Sequence, residues 1–329
     1  MPAALGEAVE HSLPLDGFYF CREPITDGTG DWIGVGTGYK QSAYRFLDAA
    51  TGAGDDTVAF QVSLLAEGFP IAPQPHGYHL NHGGDYLPGL FERRDARGAL
   101  LGGDGPLGRV RQLHPVPGGG SALLTTTEGM ITNDRHPDGS PILRLEYVRE
   151  DGSRAGAAEL DRAPYQLGVA RTGEALVVAL DGARWFGRDA APLTGWFPLT
   201  PPLGATSVGD DTASLADGTV ALRVSGVWTH VFAPGNAAAS PAPQWLADRP
   251  GTRVYVVRGG RANAVVGPQL ACPSTAEIEI LTPSGTSCGK IQLPLEGCAW
   301  AFVGADGTAM AMSHEANVCA WRWWRGLLR

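Results

Sequence analysis

No stretch of this 329-residue sequence approaches the roughly 18 consecutive apolar residues of a membrane-spanning helix. No basic run longer than a few residues interrupts a net charge of −9. The first absence excludes a helical transmembrane span. The second argues against a nucleic-acid partner, because phosphate binding needs clustered Lys and Arg. Helical pattern is scarce, with "SAYRFLDAA" (42–50) as one short candidate. Signatures of chemistry are missing as well. "GTGDWIGVGTG" (28–38) is glycine-rich, yet it satisfies neither the P-loop nor the G-x-G-x-x-G pattern, and no βαβ pattern surrounds it. The G-x-S-x-G spacing of Gly285-Thr286-Ser287-Cys288-Gly289 falls between the strand-like runs "AEIEIL" and "KIQLPL" and not in the strand-to-helix turn of a nucleophile elbow, and there is no short C-x-x-C-type zinc knuckle. Asp55, Asp56, Asp210, Asp211 and Asp217 could offer oxygens to Ca2+, but without EF-hand spacing they read as turn residues. The sequence therefore calls for no cofactor and no metal.

What is abundant is turn chemistry. The chain holds 46 Gly and 25 Pro beside 43% hydrophobic residues, so a sizeable core can form between many turns. Asp-Gly recurs at Asp138, Asp151, Asp181, Asp217 and Asp306, the pair that tolerates the positive φ of tight hairpins. Between the turns lie short alternating runs such as "PILRLEYVRE", "GTVALRV", "TRVYVVR" and "AEIEIL". In the last of these, alternation puts Glu277 and Glu279 on one face and Ile278 and Ile280 on the other. This density of short strands predicts an all-β fold, a six- or seven-bladed β-propeller of four-stranded blades. Two packed β domains are the alternative. Residues 1–22 are set apart as an N-terminal leader segment without the basic start and apolar centre of a signal peptide. Residues 23–329 form a single propeller-like domain, in which "AEGFPIAPQPHGYHLNHGGDYLPGLFERRD" (66–95) makes an irregular blade and 271–329 a disulfide-bearing end.

Cys272, Cys288, Cys298 and Cys319 crowd the last sixty residues, and Cys21 stands alone. Four cysteines allow three connectivities. Pairing each with its hairpin neighbour gives Cys272–Cys288 and Cys298–Cys319, with Cys21 a buried leftover thiol. Disulfides would imply an oxidising compartment. The segments "WLADRPGTRVYVVRGGRANAVV", "CPSTAEIEILTPSGTSCGKIQLP" and "CAWRWW", with "SLLAEGFPIAPQPHGYHL" and "GRDAAPLTGWF" upstream, resemble a group of uncharacterised myxobacterial proteins, many of them apparently exported lipoproteins. The resemblance covers about half the chain in patches. It implies export, to the periplasm or beyond and with a lipid anchor in a longer form, and it brings no catalytic residues.

The terminal "VCAWRWW" reads as a last strand closing a ring of blades. Trp321 and Trp323 share one face, with Arg322 and Trp324 on the other, and Arg322 is expected to stack on a ring. The competing reading is an aromatic platform for sugar that uses Trp324. The densest polar cluster is "HGYHLNHGGDY", with His76, His79, His82 and Asp85, and only a curled loop could bring all of them together. With no catalytic motif, the sequence points to a non-enzymatic binding or scaffold propeller that recognises a protein or a surface glycan through loops on one face. The alternative is a hydrolase or lyase with carboxylates and histidines at the central channel.

Overall fold

Four of the five Asp-Gly pairs set turns with positive φ at the glycine, as expected, whereas Gly182 opens a strand without it. Gly218 adopts a φ of 92°, and the Asp217 carboxylate accepts the Thr219 amide and hydroxyl at 2.9 and 2.7 Å. Asp151 holds Ser153 in the same way. These turns separate the strands of a computed structural model that describes residues 5–15, 20–38, 41–54, 57–63, 71–82, 89–103, 105–128, 135–200, 202–203, 211–267, 276–294, 298–315 and 317–329.

The strands assemble into seven antiparallel four-stranded sheets, the blades of a seven-bladed β-propeller. Blade one comprises Phe20–Thr26, Trp32–Gly38, Gln41–Asp48 and Phe60–Ser63. Blade two is Ile71–Gln74, Gly77–His82, Leu90–Asp95 and the two-residue Leu100–Leu101. Blade three is Arg109–Pro115, Ser121–Thr126, Leu143–Val148 and Arg154–Glu159. Blade four is Gln166–Val169, Ala175–Val178, Gly182–Phe186 and Phe197–Pro198. Blade five is Asp211–Ser214, Val220–Val224, Val227–Phe232 and Ala239–Pro241. Blade six is Arg253–Val257, Ala262–Val266, Ala276–Leu281 and Ser287–Leu293. Blade seven takes Cys298–Val303, Ala309–Glu315 and Val318–Trp324 from the end of the chain and Val9–Pro14 from its beginning.

From blade two to blade six, first strands meet first strands of neighbouring blades. Second strands are sandwiched, so Ser121–Thr126, Ala175–Val178 and Ala262–Val266 are buried throughout. The fourth strand of blade three, Arg154–Glu159, is half-buried to exposed along its length. Each seam between blades carries its own apolar cluster. The largest, between blades six and seven, interleaves Ala262, Ala264, Ile278 and Ile280 with Ala299, Ala301, Ala309 and Ala311. Among the described residues the smallest lies between blades two and three: Ala72 against Val110, Leu113, Leu123 and Val148.

Closure follows the expected logic and corrects its details. Val9–Pro14 pairs antiparallel with Val318–Trp324, with Val9 opposite Trp323 and Leu13 opposite Cys319. The segment set apart as a leader thus supplies an outer strand. The "SAYRFLDAA" segment is a strand rather than a helix, because Tyr44 and Phe46 pack between blades one and two. Trp321 and Trp323 enter the core between blades seven and one, and Trp324 enters the core between blades six and seven. Arg322 stacks on no ring among the described residues; its Nε pairs with Glu10 at 2.7 Å.

The cysteine pairing differs from the hairpin expectation. Cys319 bonds Cys21, with Cα atoms 5.4 Å apart, and so ties blade seven to the first strand of blade one. Cys298 is disulfide-bonded too, Cys288 is a free thiol, and Cys272 lies outside the described residues. Register explains why Cys298–Cys319 fails. Both cysteines sit opposite His314, one on each side of it. Two strand spacings separate them by about 9–10 Å, beyond the roughly 7 Å a disulfide can span.

Candidate functional site

Each blade joins its first strand to its second at one end of the ring, and blades one to six join their third strand to their fourth at the same end. On this hairpin face, a hydrogen bond crosses every seam. Gly28 N donates to Gln74 O at 2.8 Å between blades one and two. Gly120 N donates to the Gln74 side chain at 2.6 Å between two and three. The Tyr147 hydroxyl donates to Gly173 O at 3.0 Å between three and four. Arg171 Nη1 reaches Ala216 O at 3.0 Å in blade five and Gly260 O at 2.8 Å in blade six. The Asn263 carboxamide oxygen accepts from Ala216 N at 2.8 Å between five and six. The tail 325–329 bridges six and seven through Arg258 N to Leu328 O and Leu328 N to Gly307 O, each 2.9 Å. Thr26 Oγ1 donates to Asp306 at 2.9 Å between seven and one. Arg329 Nη2 adds a strut from the tail to Thr29 O at 2.9 Å.

A cleft of about 520 Å3 opens on this face between blades two and three. It lies over the seam with the smallest apolar cluster. Beneath it runs a polar chain. Gln74 Nε2 donates to Ser121 Oγ at 3.2 Å. Ser121 Oγ is 2.9 Å from His79 Nδ1, and His79 Nε2 is 3.2 Å from Glu150 O. A carbonyl only accepts, so Nε2 carries the proton and Nδ1 accepts the serine hydroxyl hydrogen. Burial holds the His79 pKa down at about 4, against the pull of the Glu150 carbonyl. His79 is thus a neutral structural link. His76 stands above it on the turn, with Nδ1 3.0 Å from Glu150 Oε1. Arg93, Arg149 and Asp151 complete the polar walls, and Gly118, Gly119 and Leu101 also line the cleft. Ser153 and both arginines hold the Asp151 carboxyl below its usual range.

The structure therefore divides the histidine cluster. His76 and His79 share Glu150, whereas His82 lies at the other end of its strand, 3.4 Å from Glu92. Asp85 lies outside the described residues, as do Asp55, Asp56 and Asp210. Trp324 is buried and donates its indole N–H to Gly6 O at 3.2 Å, so the structure places it in the core and not on a platform. Among the described residues no three His, Cys, Asp or Glu side chains converge on a common point. In the inner strands, Glu23 of blade one pairs with Arg253 of blade six, and Asp211 of blade five lies 3.4 Å from Arg223. Burial raises the Asp211 pKa, while Glu23 raises that of Arg253. His114, in the first strand of blade three, is held near 4 by burial. A second cleft, about 400 Å3, lies between blades four and five and is lined by Pro198, Pro202, Leu203, His230 and Pro241. Sequence reasoning reached His76 but missed Arg93, Arg149 and Glu150, which lie up to 74 residues away and carry no local pattern.

No family model matches the chain, and no curated protein does either. Among solved structures the chain is similar to the β-propeller domain of Cps50 (Swd1) from Myceliophteria thermophila. The TM-score is 0.51 at 11% identity, over 95% of this chain and 99% of that one. It is also similar to BamB from Moraxella catarrhalis, with a TM-score of 0.44 at 14% identity over 91% of this chain and 81% of that one. At these identities the likeness shows the propeller fold alone.

Proposed function

We propose that the chain is a non-enzymatic binding propeller that presents its hairpin face to a protein partner. The observation that supports this most directly is the continuous circuit of hydrogen bonds across all seven seams of that face. A surface fixed in advance loses little conformational entropy when a partner docks. The inner-strand carboxylates Glu23 and Asp211 have arginine partners, and His79 is fixed inside a structural chain. Neither arrangement supplies an acid–base pair to a substrate. The Cys21–Cys319 bond supports work in an oxidising compartment, in keeping with the export implied by the resemblance to the myxobacterial group.

Site-specific photo-crosslinking tests the reading. A crosslinker at Thr172, Asp217 or Arg261, all exposed on the hairpin turns of blades four, five and six, should capture the same protein. A crosslinker at Val227, exposed on the opposite face, should not. Capture from Val227 alone, or from none of the four positions, would defeat the proposal.

A further inference from the structure

We propose that the cleft between blades two and three binds a carboxylate carried by an acidic peptide segment of the partner. This deepens the binding-platform reading and rests on it. The argument starts from two arginines on opposite walls, Arg93 from the third strand of blade two and Arg149 from the turn after the third strand of blade three. Arg93 Nη1 donates to the Asp151 carbonyl. Its guanidinium lies against the backbone of two glycines, where an added Cβ would stand 3.3 Å away at Gly152 and 3.6 Å away at Gly103. Arg149 Nη1 donates to Ser153 Oγ at 3.1 Å and to Arg154 O at 2.9 Å. These contacts orient both side chains through Nη1 and engage neutral oxygens. Neither guanidinium has a carboxylate in salt-bridge range among the described residues, whereas the adjacent Arg94 pairs with Glu92 at 2.6 Å.

A guanidinium offers five N–H donors in a planar fork that matches a carboxylate. Two such forks, held in place and facing one cleft of an acidic chain, form a receptor for a planar anion. The rim selects which anion. Glu150 and Asp151 line the same cleft, and their charges oppose a doubly charged phosphate more than a single carboxylate. The same acids can accept N–H groups flanking a peptide carboxylate. Gly118 and Gly119 carry no side chain, so a peptide backbone can approach closely there, and Leu101 adds an apolar wall. The volume of about 520 Å3 falls within the roughly 300–1,000 Å3 of ordinary ligand sites.

Fluorescence anisotropy with a short labelled peptide carrying adjacent glutamates and an amidated C-terminus, and with its glutamine twin, tests the inference. The glutamate peptide should bind at least about tenfold more tightly than the twin, and Arg93→Gln and Arg149→Gln should each weaken it by about tenfold. Arg135→Gln, exposed between the second and third strands of blade three and so on the opposite face, should bind as the parent does. Thermal unfolding of each variant verifies the fold. Equal binding of the two peptides, binding of neither, or unchanged affinity in both arginine variants would overturn the inference. So would displacement by inorganic phosphate at concentrations where acetate has no effect, since the cleft would then be a phosphate site. Failure here with crosslinking retained at Thr172, Asp217 and Arg261 would remove only this inference. Loss of that crosslinking would remove the platform reading itself.

Discussion

The seam between blades seven and one and the seam between blades two and three solve one packing problem with opposite chemistry. The first is apolar and covalent. Trp321, Trp323, Met310 and Met312 meet Ile33, Val35 and Leu47, two indole N–H groups end on the carbonyls of Arg22 and Ala49, and Cys21–Cys319 crosses the join. The second has Ala72 and four partners as its apolar part, and Gln74, Ser121 and His79 take over the joining role. The apolar seam flanks the blade in which the two ends of the chain pair, Val318–Trp324 on Val9–Pro14. The polar seam is where a surface cleft opens. A polar joint leaves side chains and carbonyls near solvent that can also serve a ligand, whereas an apolar joint must exclude water to work at all.

The sharpest way to break the comparison is Trp323→Ala. It should cost about 3–5 kcal/mol, as large aromatic deletions do, and leave the Ala49 carbonyl unpaired. Urea unfolding measures this, and a cost below that of any polar-seam variant would reverse the ranking of the two seams. Next, Cys21→Ser with Cys319→Ser should cost about 2–5 kcal/mol under oxidising conditions, while Cys288→Ser, which removes a free thiol, should change little. On the polar side, Gln74→Ala deprives the Gly120 amide of its acceptor and should cost about 1–3 kcal/mol, again by urea unfolding. Acidification sharpens the contrast. His79 and His114 are neutral in the fold with pKa values near 4, against 6.5 for the free side chain. Their contribution is complete above about pH 6.5, falls as the unfolded chain takes up protons between about 6.5 and 4, and falls no further below that. His79→Gln with His114→Gln should flatten stability against pH in that window, whereas Trp323→Phe should leave the slope unchanged. The smallest effect belongs to His76→Ala. Its side chain is 79% exposed, so the melting temperature should hold while affinity for the glutamate peptide changes.

Much of this architecture was legible in the sequence, because it depends on local chemistry. Asp217-Gly218-Thr219 announces a hairpin whatever surrounds it, and the alternation of Ala276–Leu281 announces a strand with Ile278 and Ile280 inward. The tail read correctly for the same reason, with Trp321 and Trp323 on one face and Trp324 on the other. What failed depends on closure. Cys21 and Cys319 lie 298 residues apart, and only a complete ring places them side by side. "SAYRFLDAA" misread as a helix because its aromatic residues look amphipathic until a second blade is set against them. The cleft was half legible. His76 stood out by density, but Arg93, Arg149 and Glu150 reach it from other hairpins, and no spacing rule relates them.

The join between blades seven and one also sets a timetable. A ribosome adding about 5–20 residues per second needs roughly 15–60 s to travel the 298 residues from Cys21 to Cys319. Through that interval Val9–Pro14 has no partner strand and Cys21 no native partner, while every earlier blade can already form. Cys272, Cys288 and Cys298 all emerge before the correct thiol does. The nascent protein is therefore a nearly finished ring with one reactive end, and the last cysteine made decides whether that end is captured by the native bond or by a wrong one.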